Sequence, residues 1–171
     1  KPFVLTTLAL FCFFTNVSAY NLLPLYLQTL GARAGETGTI MAMYSVAAIL
    51  AQVITGRLLD RGWRKPCLLS AAALLILVSA GFGVVARLGW PLYVLRFLQG
   101  FGFAVYMTSS ITLITDLVPP SRRAEAVGIY GTGGLVAVAV GPAVGELILG
   151  AAGFPAFFAA TVAAALAAFT L

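Results

Sequence analysis

Six long stretches of this chain run almost without charge, and that feature leaves few solvents in which it can fold. They cover roughly residues 3–30, 39–59, 67–86, 91–117, 126–149 and 154–171. A helix needs about 20 mostly apolar residues to cross the hydrocarbon core of a bilayer, and each run approaches or exceeds that length. The breaks between them are short and rich in turn formers or charge: GARAGE, GRLLDRGWRK, ARLGWP, VPPSRRAE and GAAGFP. Strands of a membrane barrel would be about 10 residues long and would alternate in polarity, and these runs do neither. Charged residues make up 9% of the chain, against about 25% in a soluble domain. The expected fold is an all-α membrane protein, a single domain over residues 1–171 with six transmembrane helices.

The same composition narrows the chemistry. There are no histidines and five acids, so metal sites and most acid–base catalysis lack their usual side chains. Cys12 and Cys67 lie in or beside apolar runs without metal-ligand spacing and read as small apolar fillers. Neither an enzyme nor a bound cofactor is expected. The net charge of +5 would suggest nucleic acid in a soluble chain, but here the bases follow topology. Helices joined by short loops alternate in direction. Lys1, Arg57, Arg61, Arg64, Lys65, Arg122 and Arg123 then share one side, with Arg33 and Arg87 on the other. The positive-inside rule makes the first side cytoplasmic, together with both ends of the chain. The partner implied is the lipid bilayer and not nucleic acid. The start at Lys1 and the stop at Leu171 inside an apolar run suggest a piece of a longer chain.

The helices are not equivalent. The third and sixth runs are apolar all round and are expected to face lipid. The other four carry Asn16, Asn21, Gln28, Tyr44, Gln52, Arg96, Gln99 and Glu146, and are expected to face a cavity or a partner. This pattern recurs every three helices, as in the three-plus-three repeat unit of a transporter.

Three segments carry more than topology requires. In GRLLDRGWRK, residues 56–65, Asp60 adds nothing to sidedness. Beside Arg61, Arg64 and Lys65 it is placed for charge-assisted bonds at the membrane surface. Gly56 removes a side chain where a neighbouring helix can approach. Gly56, Leu58, Asp60, Arg61, Arg64 and Lys65 match the signature G-x-L-x-D-R-x-G-R-K, and here the chain resembles the major facilitator superfamily between its helices 2 and 3. One position departs: Trp63 stands where the signature has Gly, with Gly62 one place early, which predicts a turn shifted by one residue.

The second segment is LRFLQGFGFA, residues 95–104. Arg96 lies about five residues into its run, roughly 8 Å deep, where a charge is costly and marks function by default. Its alternative is to snorkel to the outer surface. Gln99 at i+3 shares its face, and Gly100 and Gly102 permit close packing. The segment matches the family's R-x-x-Q-G-x-G-x-A, whose Arg the resemblance associates with proton coupling or substrate binding. Partners at similar depth on helix 1 are Asn21, Tyr26 and Gln28. That helix has no acid, unlike many proton-coupled relatives, and Pro24 is expected to bend it.

The third segment is GTGGLVAVAVGPAVGELIL, residues 131–149. Gly133, Ala137, Gly141 and Gly145 recur every fourth position, the pattern of a close-packed helix interface. Pro142 is expected to kink the helix and free the carbonyl of Val138. The segment resembles the family's G-x-x-x-G-P-x-x-G-G, with Ala137 and Glu146 replacing its first and last Gly. Glu146 is either an interfacial residue near the helix end or a protonatable group in the outer half of the membrane.

The resemblance spans nearly the whole chain and implies the N-terminal six-helix half of a twelve-helix transporter, built as two three-helix repeats. It further implies a C-terminal half, a substrate and proton cavity between the halves, and alternating access. Arg96, Gln99, Asn21, Tyr26 and Glu146 are the cavity candidates. Gly56, Asp60, Arg61, Arg64, Lys65, Asp116 and Arg123 are candidates for a cytoplasmic latch. The implied activity is export of a small molecule across the cell inner membrane as a proton antiporter, driven by the proton gradient with no cofactor. Alternatives are a half-sized transporter acting as a homodimer and a non-transporting membrane scaffold or sensor.

Overall fold

The computed structural model describes residues 2–171, with side chains from residue 3 onward. Lys1, counted above among the cytoplasmic bases, lies outside the described residues. The described chain is helical with no strand. Helix α1 spans Pro2–Ala19 and α2 spans Leu23–Thr29, joined by a 3-10 turn at Tyr20–Leu22. Then follow α3 (Ala34–Asp60), α4 (Arg64–Val84), α5 (Trp90–Asp116), a second 3-10 turn (Pro120–Arg122) and α6 (Arg123–Thr170). Five elements are long and apolar enough to cross a membrane, α1 and α2 counting together as one.

Local chemistry explains the boundaries. Pro24 stands in the first turn of α2, directly after the 3-10 turn, so the hydrogen-bond pattern of the first apolar run changes beside its proline. Gly31 and Gly62 take left-handed φ of 84° and 83°. At each, the glycine N–H bonds to the carbonyl three residues back and the next N–H to the carbonyl five back: Gly31 to Gln28 and Ala32 to Leu27, Gly62 to Leu59 and Trp63 to Leu58. This is the Schellman ending of a helix, which favours glycine at the left-handed position. The turn in GRLLDRGWRK is therefore made by Gly62 and not Trp63, one residue earlier than the signature places it. Helix α3 begins five residues before its apolar run because the Glu36 carboxylate accepts the Arg33 backbone N–H at 2.9 Å and caps the helix start.

The long α6 is two helices that meet at Gly153, whose φ of 74° and ψ of −174° are non-helical. Asn16 and Ser18, two residues apart on α1, reach the carbonyls of Thr161 and Ala137 respectively. On a straight helix those carbonyls would stand about 36 Å apart, so residues 154–170 fold back along residues 123–152. Pro142, in contrast, keeps helical φ/ψ. The break at Gly153 falls in GAAGFP, where the fifth and sixth apolar runs are expected to part.

Packing pairs α1 with both arms of α6, α3 with α5, and α4 with α5 and α6. The glycine stripe seats α1: a Cβ on Gly141 would overlap Ser18 and the Thr15 carbonyl, and one on Gly145 would press on Leu22 and Phe157. Ala137 is fully buried in the same row, and its carbonyl accepts the Ser18 hydroxyl at 3.0 Å. The α4 run and residues 154–170 do more than face lipid. Asn16 Nδ2 donates to Ser79 Oγ at 3.0 Å and to the Thr161 carbonyl at 2.5 Å, and the Tyr20 and Thr161 hydroxyls share a bond at 3.2 Å. One serine and one threonine in runs that read as apolar thus form a buried polar node with α1. The least buried elements are α3 and α6, which expose Ile49, Val53, Leu135 and Leu147.

Candidate functional site

Arg96 is 5% exposed, so it does not snorkel to the surface. It lines a cavity of about 350 Å³ bounded by α1, α3, α5 and residue 138 of α6. Its Nη1 donates to Gln99 Oε1 at 2.5 Å, along the i+3 direction of the helix. Its guanidinium stands 4.8 Å from the centre of the Tyr44 ring, within cation–π range. Tyr44 is held in turn by Phe103, with ring centres 5.4 Å apart. Glycine makes this approach possible: Gly100 sits one turn after Arg96, and a Cβ there would overlap the Tyr44 carbonyl. The R-x-x-Q-G spacing therefore supplies the cation, its hydrogen-bond partner and the gap that admits α3.

Asn21 lines the same cavity, together with Ser18, Tyr44 and Ser45. Tyr44 stands out in sequence as a polar residue of α3, but nothing in the spacing pairs it with Arg96. Two expected cavity residues sit elsewhere. The Tyr26 hydroxyl donates to the Val85 carbonyl at 2.6 Å and its ring packs on Phe154 and Phe158, which turns it away from Arg96. Glu146 is exposed on α6 and does not line the Arg96 cavity. Phe154 and Phe158, distant in sequence, capture the Tyr26 ring, and helical periodicity alone cannot reveal that contact.

At one end of the bundle Arg64 forms a salt bridge with Asp116, the last residue of α5. Beside it Arg123 Nε donates to the Thr115 carbonyl at 3.2 Å. The Arg64–Asp116 pair ties the α3–α4 connection to the end of α5, and the Arg123 bond closes the α5–α6 connection. Asp60 has no ion-pair partner among the described residues, and a Cβ at Gly56 would meet nothing within 4 Å. Arg61 and Lys65 are exposed. The expected cluster is thus divided: Arg64, Asp116 and Arg123 are engaged within the chain, while Gly56, Asp60, Arg61 and Lys65 are presented outward. At the opposite end, Tyr26 reaches Val85 and the Thr39 and Tyr93 hydroxyls lie 3.3 Å apart, which places Arg33 and Arg87 there.

Among the described residues no cluster of side chains is able to hold a metal ion. The arrangement is a pocket of neutral polar and apolar side chains with one buried cation, and no nucleophile–base pair lines it among the described residues.

The sequence is similar to part of several bacterial proteins. The chain is 32% identical over 145 residues to the multi-drug resistance efflux pump PmrA homolog of Lactococcus lactis, covering 80% of this chain and 35% of that protein. It is 30% identical over 160 residues to the multidrug resistance protein MdtG of Dickeya zeae, covering 88% and 39%. The multi-drug resistance efflux pump PmrA of Streptococcus pneumoniae is 27% identical over 130 residues, covering 74% and 32%. The chain thus spans about a third of the length of these curated relatives. Residues 5–171 match the family described as Major Facilitator Superfamily, and the chain belongs to that family of multi-pass membrane transporters.

Proposed function

We propose that this chain forms the N-terminal half of a secondary transporter that exports a small molecule across the cytoplasmic membrane by alternating access, in exchange for protons. The observation that carries this reading is the burial of Arg96 beside a cavity of about 350 Å³, a size suited to a small molecule. A cation inside an apolar span is costly and has a function there by default. The relatives named as efflux pumps support the direction of transport.

In this reading residues 123–152 and 154–170 each cross the membrane, giving six crossings arranged as two three-helix repeats. Arg57, Arg61, Arg64, Lys65, Arg122 and Arg123 lie at the end tied by Arg64–Asp116, against Arg33 and Arg87 at the other, which supports cytoplasmic chain ends. A C-terminal six-helix half covers the exposed apolar faces of α3 and α6. Gly56 and Asp60 meet that half and, with Arg61 and Lys65, latch the cytoplasmic side in the outward-facing state. Glu146 is the acid within an apolar segment on the outer half and serves as the proton carrier. The proton gradient drives the cycle with no cofactor.

The test is flux in proteoliposomes made with the native protein under an imposed pH gradient. Gradient-driven substrate movement that a protonophore abolishes, and that Arg96→Ala removes, is the expected result. Flux indifferent to both the protonophore and Arg96→Ala would sink the reading.

A further inference from the structure

The Arg96 cavity holds one charge and no acid to match it. Among the described residues, Nη1 of Arg96 donates to Gln99 Oε1, and Nε is buried without a partner. The other polar residues of the lining are Ser18, Asn21, Tyr44 and Ser45, all neutral. None of the five acids lines the cavity. Glu36, Asp60, Asp116 and Glu125 sit at helix ends, and Glu146 is exposed on α6.

A second cavity of about 400 Å³ adjoins the first, and Phe14 and Val138 belong to the walls of both. Its lining is apolar, with Leu10, Met107, Ile111 and Leu135 prominent and only Tyr130 and Thr132 carrying hydroxyls. The two cavities thus share the Phe14 and Val138 wall, with a buried guanidinium in one and an apolar groove in the other.

We infer that the substrate is a lipophilic acid, with a carboxylate or similar planar anion on Arg96 and an apolar body passing Phe14 and Val138 into the second chamber. This inference rests on the transport reading above. A planar guanidinium with free N–H groups matches a carboxylate in shape and charge. A buried cation gains most from an opposite charge where water is excluded, and a cationic amphiphile would meet repulsion at the same point. An uncharged analogue keeps the apolar contacts and loses the charge-assisted bonds.

Three fluorescent probes with one apolar body test this: pyrenebutyrate, pyrenebutyramide and pyrenebutylamine, titrated against the native protein in lipid nanodiscs. The acid should bind at least about tenfold more tightly than the amide, the low end for hydrogen bonds to a charged group. The amine should bind more weakly still. Arg96→Gln should erase the difference, and Arg96→Lys should keep part of it. Equal or tighter binding of amide or amine by the unaltered protein overturns the inference, as does an acid preference that survives Arg96→Gln. The comparison in unaltered protein stands even if a variant fails to fold. Uptake of the same probes into proteoliposomes separates the two claims. Acid-selective binding with no gradient-driven uptake of any probe overturns transport and supports the substrate class. Preferred uptake of amide or amine overturns the class and supports transport.

Discussion

The guanidinium of Arg96 lies 4.8 Å from the centre of the Tyr44 ring, and this contact joins α5 to α3 at the wall of the cavity. A desolvated cation–π pair contributes about 2 kcal/mol, an exposed one about 0.5–1 kcal/mol. Tyr44→Phe keeps the ring face and should leave stability and flux near the unaltered level. Tyr44→Leu removes the face and should lower the unfolding midpoint and the flux together. Thermal unfolding and proteoliposome flux on the two variants check this. Equal behaviour of Leu and Phe at position 44 would show that the ring does not act on Arg96.

The glycines divide into those that admit a neighbour and those that do not. Gly100→Ala would drive a Cβ into the Tyr44 carbonyl, and Gly141→Ala into Ser18 and the Thr15 carbonyl. Backbone cannot yield as a side-chain tip can, so each should cost about 1–3 kcal/mol. Gly128 and Gly131 face open space in the same chain, and alanine there should be neutral or slightly stabilising. Steric trapping or thermal unfolding in lipid ranks the four. Tolerance of Gly141→Ala at the level of Gly131→Ala would contradict the close seating of α1.

Asn16, Ser79, Thr161 and Tyr20 tie three segments that otherwise meet through apolar contacts. Interhelical hydrogen bonds within membranes average about 0.6 kcal/mol each. Asn16→Leu, which removes two, should therefore destabilise by about 1–2 kcal/mol. Because no residue of the node lines the Arg96 cavity, selectivity between probes should not change. A shift in selectivity at preserved stability would move Asn16 into the binding site.

Much of this was legible in the sequence. The apolar runs gave the elements, the charge-bearing breaks gave the connections, and Arg96 with Gln99 and Gly100 gave the site, because burying a guanidinium requires all three. What stayed hidden depends on contacts between distant segments. Nothing local pairs Tyr44 with Arg96 or Ser79 with Asn16, and one serine does not interrupt an apolar run. The break at Gly153 was legible, because GAAGFP separates two apolar runs and its glycine takes the left-handed φ at which the chain reverses, whereas Pro142 keeps helical φ/ψ.

The Arg64–Asp116 pair is about 40% and 37% exposed. An exposed pair of this kind contributes about 0.2–1 kcal/mol. Asp116→Asn should consequently alter stability little and slow transport more, if the pair holds two connections in register during the cycle. A double-mutant cycle with Arg64→Gln measures the first, and initial flux the second. A large loss of stability with unaltered flux per folded molecule would make the pair structural only.

Alternation of the Arg96 cavity between the two sides of the membrane is the central claim, and accessibility measures it most directly. Asn21 is exposed within that cavity and accepts a reporter thiol once Cys12 and Cys67 are replaced by alanine. Labelling Asn21→Cys with a membrane-impermeant maleimide, from either side and with the proton gradient imposed or collapsed, should show access that switches sides with the gradient. Access from one side alone, unmoved by the gradient, would contradict the account.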